Sequence, residues 1–123
     1  MSVLVVDGAN VVGSRPDGWW RDRAGAARRL SERLAAADLL YDEIVLVLEG
    51  QAKTGTDEGR SGAVRTVHAA RSGDDAIVAV VTEELAVGEG REVVVVTADR
   101  GLRERVEGVG ARCESPSRLL ARL

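Results

Sequence analysis

Three runs of uninterrupted aliphatic residues, Val3 to Val6, Ile44 to Leu48 and Val93 to Val96, constrain the fold more than any other feature of this chain. A strand with one wetted face alternates polar and apolar residues, because successive side chains point to opposite faces. A run without alternation must be buried on both faces, which is the condition of a parallel sheet covered by helices. The intervals carry helical spacing. Ala27, Leu30, Leu34 and Ala37 recur within Trp20 to Ala37; Ile77, Val78, Val81 and Leu85 follow Ser72; Leu102, Val106 and Val109 follow the last run. Shorter strands are expected over Ala63 to Ala69 and Ala111 to Glu114, and Ser115 with Pro116 opens a terminal helix. The glycine-rich, charged stretch from Gly50 to Gly62 reads as a mobile loop. The fold class is therefore α/β, a three-layer α/β/α sandwich around a mainly parallel sheet of about five strands. At 123 residues, one domain over 1–123 is expected.

Composition narrows the function. With 45% apolar and 30% charged residues the chain falls among globular proteins. No apolar run approaches the ~18 residues of a membrane span, and Met1 leads into a strand without a basic n-region. A cytoplasmic location without membrane contact is the expectation. One cysteine, Cys113, and one histidine, His68, exclude a disulfide framework and a Cys/His-rich metal site, and both read as structural. A net charge of −3 means that any contact with a nucleic acid is local, carried by basic residues near loops.

In open parallel sheets, ligands bind at the carboxyl ends of the strands. Asp7 ends the first run, Glu49 the second, and Asp99 follows the strand Val93 to Thr97, so all three belong to one edge. Asp74 and Asp75 open a helix, and Asp74 precedes Ile77 and Val78 by three and four residues, which turns it toward the same edge. Each acid also has a structural role available, since Asp at a helix start is favoured by capping and by the helix dipole. Grouped, however, carboxylates about 5 Å apart repel by about 3 kcal/mol per pair at an effective dielectric of ~20. Something positive belongs among them, and oxygen ligands alone suit Mg²⁺ or Mn²⁺.

VVDGANVVG at the first strand, SGDDAIVAVV at the helix start and VVVVTADRGL at the late strand, in that order, resemble the NYN branch of the PIN-like ribonucleases. The resemblance implies a metal-dependent enzyme that hydrolyses phosphodiester bonds of RNA, with Asp7, Asp74 and Asp99 as the acidic core, Asn10 assisting and Asp75 a neighbouring metal ligand. Glu49 stands where relatives often have Asp. It is grouped with Arg100, Arg15 and Lys53 as a substrate-contacting residue, the basic ones because Arg and Lys match phosphate. Gly8 and Ala9 would keep the turn after Asp7 small enough for metal and phosphate to approach. RNA, single-stranded or structured with loops, is the expected partner, and a homodimer is left open. Trp19 and Trp20 either stack an unpaired base or pack a helix entry. The absent Lys argues against a P-loop, and Ala at position 9, where Asp-x-Asp is the pattern, argues against a haloacid-dehalogenase site. The rival that survives is a catalytically silent PIN-like module that binds RNA or a protein.

Overall fold

The computed structural model describes residues 1–88 and 90–123. Its centre is a six-stranded sheet: β1 (Ser2–Asp7), β2 (Glu43–Leu48), β3 (Gly59–Ser61), β4 (Val64–His68), β5 (Glu92–Val96) and β6 (Arg112–Glu114), in the order β3-β4-β2-β1-β5-β6. All neighbours are parallel except β3 and β4. The chain builds outward from β1 on one side, then returns to add β5 and β6 on the other. That reversal opens a crevice beyond the carboxyl ends of β1 and β5.

The aliphatic runs are buried on both faces. Leu4, Val6, Leu46, Leu48, Val94 and Val96 pack under α1 (Gly8–Gly13), α2 (Arg23–Ala36) and α5 (Pro116–Leu120), through Val11, Leu30, Leu34 and Leu119. Val3, Val5, Val45, Val47, Val93 and Val95 face α3 (Gly73–Val87) and α4 (Arg100–Gly108), through Ile77, Val81, Leu102 and Val106. Each of these fully buried side chains contributes about 1.5–3 kcal/mol relative to exposure. At the amino end of the sheet, two buried acids are tied down by arginines. Glu43 accepts from Arg60 and Arg65, and Glu84 pairs with Arg65 and Arg91.

The sheet is the expected mainly parallel one, with six strands against the expected five or so. Two other expectations need correction. The stretch after Asp7 is no tight turn but the first turns of α1, with Gly8 in it because a Cβ there would lie 2.7 Å from the Val47 carbonyl oxygen. The Gly50–Gly62 segment is built structure: a 3-10 helix over Gly50–Gly55 and the edge strand β3. Long-range bonds hold it. Lys53 Nζ donates to the Ala69 carbonyl, the His68 ring lies 2.8 Å from the Thr56 carbonyl, and the His68 amide donates to Glu58. Gly55 lies so close to α2 that a Cβ would collide with the Ala24 carbonyl oxygen. Gly55→Ala should therefore lift the 3-10 helix from α2. Limited trypsin digestion read by mass spectrometry should leave Lys53 uncut in the native chain and cut it in the variant; early cutting of both would restore the mobile loop.

Candidate active site

The carboxyl edge of the sheet gathers Asp7, Glu49, Asp74 and Asp99, each from a different element. Asp7 ends the central strand and is only 5% exposed. Its Oδ2 accepts from the Thr97 hydroxyl at 2.9 Å, and its Oδ1 accepts from the Asn10 amide at 3.3 Å, which makes Asp7 the N-cap of α1. Thr97, fully buried just beyond β5, also accepts from the Asp99 amide at 3.1 Å, so one hydroxyl bridges both aspartates. Asp99 Oδ1 accepts from the Leu102 amide and caps α4. Asn10 reaches across in the other direction: its Oδ1 accepts from the Ala98 amide at 2.8 Å and fixes the turn that carries Asp99.

The second half of the edge comes from β2 and α3. Ser72 caps α3 through the Asp75 amide, and Glu49 Oε2 accepts from the Gly73 amide at 2.9 Å, which places the end of β2 against the helix start that carries Asp74. A Cβ at position 73 would lie 3.2 Å from the Glu49 carboxylate. Burial raises the pKa of Asp7 above its ordinary value, against the bonds from Thr97 and Asn10, and the charges of Asp74 and Glu49 push it further up. Asp74 is raised by desolvation first, then by Asp99 and Glu49, with Arg105 opposing. Among the described residues no Lys or Arg forms an ion pair with Asp7, Glu49, Asp74 or Asp99.

The remaining candidates are distributed less favourably. Asp75, grouped with the acids on sequence, is mostly exposed and bonded to Arg105 of α4 at 3.0 Å. Arg100 is exposed at the start of α4, beside Ala98 in a shallow groove it shares with Arg103, Glu104 and Glu107. Lys53 is already engaged by the Ala69 carbonyl. Arg15 is not brought to the acids; it lines a hollow between α1, α2 and α5 with Arg29 and Arg33. Thr97 is the site residue that sequence reasoning missed, because a Thr closing a strand is ordinary β composition.

Oxygen-only donors that form no ion pair among the described residues suit a hard divalent cation. Among the described residues no set of three or more His, Cys, Asp and Glu side chains is disposed to hold a metal ion. No helix among the described residues is long and apolar enough to cross a membrane.

The chain belongs to the family described as the YacP-like NYN domain, whose model matches residues 4–123. In structure it is similar to Rae1 (YacP) from Bacillus subtilis, seen in the crystal structure of a point mutant. The TM-score is 0.65 with 19% sequence identity, over 98% of this chain and 74% of that chain. At that identity the likeness is one of fold. Among curated proteins none matches the chain in sequence.

The raised Asp74 pKa carries a sign. Below the ordinary value of 3.8 the group is protonated folded or unfolded, and the folded state's tighter hold on the proton is stabilising there. That contribution is lost as pH rises through the folded pKa, so at neutral pH the charge opposes folding. In metal-free buffer Asp74→Asn should be more stable than the native chain at about pH 7 and indistinguishable from it at about pH 3. Urea unfolding at the two pH values measures this; a variant less stable at neutral pH would mean that the Asp74 charge is compensated.

Proposed function

We propose that this domain is a divalent-metal-dependent ribonuclease whose acidic edge hydrolyses phosphodiester bonds of RNA, residues 1–123 acting as one unit. The observation that carries the reading is a contrast between the two ends of the sheet. Buried Glu43 and Glu84 each have two arginine partners, whereas Asp7, Glu49, Asp74 and Asp99 have none among the described residues. Leaving carboxylates together and unmatched lowers stability, so the edge is suited to a cation from outside. Membership of the NYN family supports a nuclease, and RNA as its substrate.

Asp7, Asp74 and Asp99 would hold Mg²⁺ or Mn²⁺, with Glu49 bordering them and Asp75 one residue further along α3. When bound, such an ion acidifies a water and neutralises charge on the phosphate. The chain's own groups supply the positioning. Thr97 holds the Asp7 carboxylate and the Asp99 turn in one register, and Asn10 braces that turn through Ala98. Glu49 anchors the start of α3 and thereby Asp74. Arg100, one residue beyond Asp99 and exposed, is a candidate for a phosphate contact. Unpaired strands suit the crevice better than a rigid duplex, because they can bend a phosphate into it.

With Mn²⁺ or Mg²⁺, an end-labelled RNA hairpin should be cut in its loop, and chelation with EDTA should stop the reaction. Asp99→Asn keeps a good helix cap and should fold, yet reduce cleavage to background together with Asp7→Asn. Thr97→Val should lower the rate by about 10–100-fold, as loss of a supporting hydrogen bond does at metal sites. Native rates in both Asp variants would refute the proposal. Tight RNA binding by the native chain with no cleavage under any metal would put the silent module in its place.

A further inference from the structure

Beside the acids lies a groove that the catalytic reading leaves unused. Its volume is about 360 Å³, and it is lined by Trp19, Arg23, Ala27, Leu48, Glu49 and Arg71. Gly8 and Ala9, which directly follow Asp7, also line it. We infer that this groove is a nucleobase subsite: it takes one unpaired base of the RNA against Trp19 and delivers the adjoining phosphate to Asp7.

The chemistry of the lining selects that occupant. Ala27 and Leu48 are fully buried and give an apolar floor. Trp19 is half-buried and oriented by two neighbours: Trp20 meets it edge-on, centroids 6.0 Å apart and planes at 89°, and the Arg23 guanidinium lies 5.3 Å from its ring centroid. An indole backed by a guanidinium is a stacking platform for a flat heteroaromatic ring, and such stacking tolerates any base. Cations stand where the base's phosphates would run. Arg23 opens α2 and Arg71 is exposed just before the Ser72 cap of α3, and among the described residues neither forms an ion pair. Glu49, bonded to the Gly73 amide, joins the groove to the acidic edge. A volume of this size lies at the lower end of small-ligand pockets, about 300–1,000 Å³, which accommodates a nucleotide and not a folded partner.

The inference rests on the ribonuclease reading, and its test separates the two. The chain has two tryptophans, so Trp20→Phe assigns the indole N–H signals in an NMR spectrum. With Mg²⁺ present, adenosine monophosphate should shift the Trp19 indole signal and ribose phosphate should not. Trp19→Ala should raise KM for an unpaired RNA about tenfold with kcat little changed, and Trp19→Phe should restore most of the loss. Arg71→Gln alters only an exposed rim residue and should weaken adenosine monophosphate binding in a salt-dependent way. It keeps the test decisive should Trp19→Ala not fold. No Trp19 response to adenosine monophosphate, or an equal response to ribose phosphate, overturns the subsite even if RNA is cleaved. A Trp19 response in a chain that cleaves nothing upholds the groove and refutes the nuclease reading instead.

Discussion

The hydrogen bond from Thr97 to Asp7 ties the central strand to its neighbour at the point where the sheet changes direction. Both residues are nearly sealed from water, and a carboxylate there is costly unless its oxygens are bonded. The chain meets that demand with a hydroxyl on one side and the first turn of α1 on the other. The same hydroxyl receives the Asp99 amide, so the burial of Asp7 also sets the start of α4. Asn10 closes the circuit from α1 back to Ala98. The acidic edge is thus a hydrogen-bonded frame in which few members can move alone.

Capping and catalysis are not competing explanations for these acids. Asp7 and Asp99 each cap a helix, Glu49 receives the first amide of α3, and Asp74 sits in the first turn after the Ser72 cap. Helix starts carry partial positive charge, which offsets part of the repulsion among the carboxylates without neutralising it. Among the described residues the ion pairs are made elsewhere. The arginines of the sheet's other end are spent on Glu43 and Glu84, and Arg105 is drawn off to Asp75. Charge is therefore matched where the protein only needs to be stable and left unmatched where a cation and a phosphate are proposed to arrive.

Most of this layout was legible in the sequence. Continuous aliphatic runs dictate a covered parallel sheet, and the rule that ligands gather at strand carboxyl ends selects Asp7, Glu49 and Asp99 without knowledge of contacts. What was illegible depended on long-range partners. GANVVG holds glycines, Asn and two valines, all poor helix formers, and becomes α1 only because Asp7 caps it and Val11 finds the core. The composition of Gly50–Gly62 signals a loop, yet bonds to His68 and Ala69 and the approach to Ala24 give it a fixed place. Arg15 and Lys53 carry suitable charge, but their positions follow from the direction of α1 and from a carbonyl that no spacing rule reveals.

Burial and neighbouring acids hold Asp7 above its ordinary pKa, and the proposed divalent cation would relieve it. Carbon-13 NMR of the side-chain carboxyl carbon, titrated with pH in metal-free buffer and again in Mg²⁺, measures this directly. The account predicts a raised pKa for Asp7 without metal and a marked fall when Mg²⁺ is added, with Asp99→Asn weakening the fall. An ordinary Asp7 pKa without metal, or a raised one that Mg²⁺ leaves in place, would contradict it.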